Sequence, residues 1–318
     1  MTVGLRRWQL WVALGLVYVV WGSTYLAIKL AVRTLPPLLA GGTRFLVASA
    51  ILASVLALTG RSLRISRREI AGTAVVGTML LGIGVGLVHV VEQHIDSSVA
   101  AMIAGSVPLQ VILWRTLAGE RVNRGTVAAA VIGLCGLALI VVPGGLDGGA
   151  AAVSLVVMLF ATMSWSGGSF ISQRLTLPSD PFVATVYEML TGGIFATGLA
   201  TILGQWGDLT RDSLQPGPVA AWAYLAVFGS VIAFTAYAWL LRVAPISQVV
   251  THQYVNPLVA VALGAFVLGE RPMALTAVGA ALIVGAVIVT VRRESPGAAR
   301  VDADPVTDTR TSVEPEAA

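Results

Sequence analysis

Lysine occurs once in the 318 residues, at Lys29, and cysteine once, at Cys135. Each scarcity excludes something. A phosphate-binding loop ends in Gly-Lys, and the sole lysine follows Ile28, so this chain does not drive itself with ATP. One cysteine forms no intrachain disulfide and no cysteine-based metal site. It lies in an apolar run and reads as a small packed residue. Charge is scarce too: 11% of residues, against roughly a quarter in soluble domains. No span pairs two acids and no nucleophile elbow occurs, which leaves a membrane-embedded enzyme without evident machinery. What fills the chain instead is apolar surface, at 56% of residues, more than a water-soluble fold could hide.

That surface is organised in runs long enough to cross a bilayer core of about 30 Å. The first five lie near 8–28, 38–58, 70–91, 99–117 and 125–142. The turn-rich Pro143-Gly144-Gly145-Leu146-Asp147-Gly148-Gly149 forms a seam. Five more follow near 152–171, 183–203, 219–241, 249–268 and 274–291. The expected fold is an all-α membrane protein of ten transmembrane helices, with both termini on one side. The first run is too long for the apolar core of a signal peptide.

A sequence pI near 9.6 could suggest nucleic acid, but the basic residues sit in short clusters between the apolar runs. Arg6 and Arg7 precede span one, Arg61, Arg64, Arg67 and Arg68 follow span two, and Arg121 and Arg124 follow span four. Arg174, Arg242, Arg292 and Arg293 continue the series, while the opposite loops hold only Arg33, Arg211 and Arg271. This bias makes the arginine-rich side cytoplasmic. The tail, 294–318, has no apolar periodicity and reads as a disordered cytoplasmic extension.

The chain also resembles itself. Trp21-Gly22-Ser23-Thr24 in span one matches Trp165-Ser166-Gly167-Gly168-Ser169 in span six, and Pro37 matches Pro181, both at an offset of 144. Val107-Pro108-Leu109 matches Asn256-Pro257-Leu258, and Gly119-Glu120-Arg121 reappears as Gly269-Glu270-Arg271 at an offset of 150. A repeat of five spans, an odd number, must enter the membrane from opposite sides in its two copies. This gives an inverted pair, 8–142 and 152–292, of the kind found in secondary transporters. The Trp-Gly-Ser-Thr stretch, the Pro-centred spans four and nine and the paired Gly-Glu-Arg loops together resemble the EamA-type permeases of the drug/metabolite transporter superfamily. That resemblance implies transport of small metabolites, amino-acid-like solutes or drugs, usually export, across a bacterial inner membrane. It names no substrate. Channel and scaffold readings rank behind a carrier.

Several side chains are out of place in lipid and become pathway candidates. Pro108 and Pro257 sit near mid-span in equivalent helices, read as kinks lining a path or as packing kinks. Around them lie Gln110, His252, Gln253, Tyr254 and Asn256, as substrate contacts or as interhelical hydrogen bonds. Trp21 and Thr24 in span one, with Trp165 in span six, are candidate cavity walls. Arg44 and Glu188 occupy equivalent repeat positions, but their backbones differ by about 13 Å in depth, which argues for separate vestibules. Glu188 reads as a proton-coupling carboxylate or a structural hydrogen-bonding group. Lys29 either snorkels or meets an anionic group. His89, Glu92, His94 and Asp96 at the end of span three read as a proton relay or as interface solvation rather than a metal site. The expected partners are a small-molecule substrate, the lipid bilayer and protons, with no cofactor and no nucleic acid. A homodimer is one option for assembly.

Overall fold

In the computed structural model, residues 7–95, 100, 103–141, 151–256, 258–259 and 274–293 are described. The seam at 144–149, Pro257, Gly269-Glu270-Arg271 and the tail lie outside them. The described residues are mostly helical, without strands. We number the helices α1 (Arg7–Ala31), α2 (Pro37–Leu58), α3 (Arg67–Val91), α4 (Val107–Leu117) and α5 (Arg124–Val141). The second half supplies α6 (Ala151–Ser172), α7 (Pro181–Ile202), α8 (Pro216–Val243), α9 (the single turn Ile246–Val249) and α10 (Ala274–Arg293). Among the described residues five helices are long and apolar enough to cross a membrane: α1, α2, α3, α7 and α8.

Local chemistry sets the boundaries. Proline opens α2, α4, α7 and α8, where its fixed φ suits a first turn and its missing N–H costs no hydrogen bond. Ser66 and Glu69 form a reciprocal capping box at the start of α3, with bonds of 3.3 and 2.6 Å. Gly60 and Gly204 end α2 and α7 at φ of 75° and 74°, a left-handed turn that a Cβ would strain. They stand at the same offset of 144 as Pro37 and Pro181, so these two helices start and stop alike.

The α2–α7 crossing has two-fold reciprocity. Gly42 meets Gly193, where a Cβ on Gly193 would come 3.0 Å from the Gly42 carbonyl. Ser49 Oγ donates to the carbonyl of Val186 at 2.8 Å. Moving Gly42 and Ser49 by 144 gives Val186 and Gly193, so each contact is the image of the other. α5 packs on α10 through another close approach, Gly136 against the Gly279 carbonyl.

Two irregularities recur as well. α3 widens to a π-helix over Thr78–Val85, and α8 does so over Leu225–Phe234. Each widened turn receives a donor from the other half: Ser164 Oγ to the Met79 carbonyl at 2.8 Å and Trp21 Nε1 to the Gly229 carbonyl at 3.0 Å. Met79 and Gly229 stand at an offset of 150. π turns are rare and concentrate where a helix serves a site.

Loops segregate onto two faces. On one, Arg61 pairs with Asp180 at 3.0 Å, Glu120 bridges Arg115 and Arg174, and Arg242 donates to the carbonyls of Pro178 and Ser179. On the other, Thr34 donates to the Ser213 carbonyl and Gln205 Oε1 accepts from Leu38 and Leu39. The arginine-rich loops of the sequence thus share one face.

Span four corrects an expectation. Pro108 does not kink a continuous helix. A turn at Gly105–Ser106 breaks the chain first, and Pro108 occupies the opening turn of α4. The break in the equivalent segment falls at Val250–Thr251, further from Pro257 than the other is from Pro108.

Candidate substrate path

The tryptophans matched by the repeat meet. Trp21 from α1 and Trp165 from α6 stand edge to face with ring centroids 5.4 Å apart. Tyr237 from α8 packs on both, at 4.9 and 5.3 Å, and His252 completes the cluster 4.9 Å from Trp21. Edge-to-face pairs add about 0.5–1.5 kcal/mol each beyond their buried area, so the cluster is a stiff junction between halves. Two of its polar tips are anchored, Trp21 on the Gly229 carbonyl and the Tyr237 hydroxyl on Ser169 Oγ at 2.6 Å, while Trp165 Nε1 and His252 Nε2 are buried without a partner.

Above this junction lies a narrow cavity of about 80 Å³, room for a few waters. It is bounded by Trp21, Thr24 and Arg44 from the first half and Trp165, His252 and Asn256 from the second, with Gln253 alongside. Its walls are mostly apolar, yet Arg44 Nε and Nη1, His252 Nε2, Gln253 Oε1 and Asn256 Oδ1 are buried without a hydrogen-bond partner in the protein. An unpaired buried polar group costs on the order of 1–3 kcal/mol. Four such side chains converging on one space are unusual, because buried polar groups are normally satisfied. These side chains border the cavity, and a movement that opens it would leave donors of Arg44 and acceptors of Gln253 and Asn256 to be answered by what enters.

Two charged couples flank the path at different depths. Towards the face carrying Thr34 and Ser213, Arg44 lies over the Phe45 ring, 4.5 Å from its centroid. The nearest charges to the wholly buried Glu92 are Lys29 and Arg44. Lys29 Nζ donates to the carbonyls of Glu92 and Ile95 at 2.7 and 2.8 Å, where the last carbonyls of α3 lack helical partners. Towards the arginine-rich face, a wider vestibule of about 510 Å³ is lined by Glu188 and Arg242. Glu188 is buried, its Oε2 without a partner.

A model of the EamA-like transporter family matches the chain twice, over residues 7–142 and again over 152–292. The chain belongs to that family. An uncharacterized inner membrane transporter of Escherichia coli K12, YedA, is 35% identical over 278 residues, covering 87% of this chain and 89% of the relative. A probable amino-acid metabolite efflux pump of Salmonella typhimurium is 26% identical over 297 residues, covering 87% of this chain and 92% of its own length. A solved crystal structure shares the fold at a TM-score of 0.70 and 20% identity, covering 89% of this chain and 97% of the other. The protein is therefore a membrane transporter of the EamA family.

In this EamA-family chain the sequence candidates divide. Trp21, Thr24, Arg44, Trp165, His252, Gln253 and Asn256 gather round the central cavity. Gln110 stands behind it, tied to Ser106, Thr162 and Ser166. Tyr254 turns away, and its hydroxyl donates to the Ala130 carbonyl of α5 at 2.8 Å. Lys29 lines neither the central cavity nor the vestibule; it holds the end of α3. Glu188 and Arg44 border different cavities, without direct contact. The interface-solvation reading fails for His89 and Glu92, which are fully buried, whereas His94 is exposed and Asp96 lies outside the described residues. Glu92 thus joins Glu188 as a buried acid. Among the described residues no group of three or more His, Cys, Asp or Glu could hold a metal.

Tyr237 and Phe234 went unrecognised in the sequence because aromatic residues are ordinary in an apolar span. A signal for Glu92 was present: a buried Arg44 demands a nearby anion, and Glu188 lies at the wrong depth to supply it.

Proposed function

We propose that this protein is a secondary transporter of the bacterial inner membrane that exports small metabolites by alternating access. On this reading ten spans form two inverted five-helix repeats, with both termini and the arginine-rich face in the cytoplasm. The observation that carries it is that buried polar side chains from both halves, each with an unpartnered atom, border the cavity between them. A site at the junction of two halves changes its exposure when they rock, without being rebuilt. The reciprocal α2–α7 contacts and the paired π segments support such a motion, since both are related by the repeat.

The same atoms suggest a cargo. Arg44 can hold a carboxylate through two N–H groups. Gln253 Oε1 and Asn256 Oδ1 can accept from an ammonium or amide, and the Trp21–Trp165 wall suits an apolar body. An amino-acid-like solute fits this pattern. The narrow cavity must widen to admit it, as alternating access requires. Glu188, facing the cytoplasmic vestibule, is the candidate to carry the coupling proton.

Purified protein reconstituted in liposomes, loaded with a radiolabelled neutral amino acid, tests the reading. The expected result is flux that saturates with solute and accelerates with an imposed proton gradient. Conductance that never saturates would overturn it in favour of a channel.

A further inference from the structure

Among the described residues, one side chain borders both the central cavity and the vestibule: Phe234. Its side chain is almost wholly buried, and it is the last residue of the π segment in α8. One helical turn further on, Tyr237 belongs to the aromatic junction, with ring centroids 6.4 Å apart. On the vestibule side, Glu188 and Arg242 stand within electrostatic reach of each other, yet do not close to a direct ion pair. A bulky apolar ring thus separates a narrow, largely apolar space from a wide, polar one.

The repeat sharpens the point. At the offset of 150, Phe234 corresponds to Gly84, Arg242 corresponds to Glu92, and at 144 Glu188 corresponds to Arg44. The charges are exchanged between halves. The ring is present in one half only. At Gly84 the space is taken by Trp165, 3.4 Å from where a Cβ would stand. The two halves are built on one plan but differ at this position: Phe234 stands between cavity and vestibule, whereas Gly84 lines the cavity with Trp165 against it.

We propose that Phe234 is the inner gate of the transport path, the partition that swings aside when solute passes between the vestibule and the central cavity. The proposal rests on the transport reading. A π turn at its root leaves one residue more per turn than an α-helix, and interconversion of the two rotates everything beyond it. That gives the ring a route out of the path without unfolding α8. Glu188 and Arg242 stand directly on its vestibule side, where closing or opening their couple favours one ring position over the other.

The test needs no substrate and therefore separates this proposal from the choice of cargo. Replacing Cys135 by serine removes the chain's only cysteine, and Thr24→Cys then places one thiol in the central cavity. The rate at which a charged, water-soluble maleimide labels that thiol in detergent-solubilised protein reads how often the cavity opens. Removing the ring forfeits most of the burial free energy of a phenylalanine, so Phe234→Ala should speed labelling by roughly ten- to a hundredfold. Phe234→Trp should slow it. Phe234→Leu, which keeps the volume of the core more nearly intact, should fall between the wild type and alanine, and guards against loss of fold. Equal labelling rates in all four proteins would overturn the proposal. So would acceleration by tryptophan, whatever the same variants do to solute flux.

Discussion

The reciprocal crossing of α2 and α7 makes a prediction that a matched pair of glycines can decide. A Cβ on Gly42 would lie 2.3 Å from Thr197 Oγ1 and 2.6 Å from the Thr197 backbone nitrogen. The hydroxyl could rotate away, but the backbone nitrogen cannot, so Gly42→Ala has to push the two helices apart. Overpacking of this kind costs typically about 1–3 kcal/mol. On α7 itself, Gly198 has nothing within 4 Å of its Cβ position. Gly198→Ala gains helix propensity there and should stabilise by up to about 1 kcal/mol. The expected difference between the two variants is therefore about 1–4 kcal/mol, with effects of opposite sign, for the same chemical change. Thermal unfolding in detergent, followed by the loss of monodisperse protein on size exclusion, measures it. If Gly42→Ala melts no lower than Gly198→Ala, the close backbone approach at this crossing is not what holds the halves together.

Three further outcomes are expected. Glu188→Gln should abolish the acceleration of flux by a proton gradient while solute exchange at equal pH continues; unchanged coupling would remove Glu188 from the proton path. Arg44→Lys should restore little of the solute affinity lost in Arg44→Ala, because a single ammonium cannot reproduce a two-pronged hold on a carboxylate; equal affinity of the lysine variant and wild type, by scintillation proximity binding, would count against Arg44 as the anion contact. Tyr254→Phe should lower thermal stability by about 0.5–1.5 kcal/mol through loss of its bond to the Ala130 carbonyl, and leave solute affinity as it is. A drop in affinity would instead return Tyr254 to the cavity.

How far the sequence could be read depended on what each signal encodes. Pro37 and Pro181 marked true helix starts because proline's missing N–H is tolerated only there or at a break. The match of Trp21 with Trp165 located the centre, since equivalent residues of a two-fold repeat that lie near the axis must meet. Proline alone misplaced the irregularity in span four: the turn comes at Gly105–Ser106, and nothing about a single proline says whether it bends a helix or begins one. The π segments were invisible because hydropathy is unchanged by one extra residue per turn. Gln253 lines the cavity with His252 and Asn256 although helical spacing sets it one residue off the face those two share. Glu92 was misread from its place near a span end, where loops normally meet water; Lys29 and the carbonyls it binds instead seal that end against the protein.

The exchange of contacts between α2 and α7 has a consequence for what one chain can do that two could not. Were each half a separate molecule pairing with its twin, any residue near the axis would face a second copy of itself. A cation at that position would be a pair of cations, and an acid a pair of acids. Joining the halves in one chain lifts that obligation, so Arg44 can be answered by Glu188 at the matching position, and Gly84 by Phe234. The frame keeps its reciprocal contacts while its two sides become chemically different, Arg44 and Glu92 on one and Glu188 and Arg242 on the other.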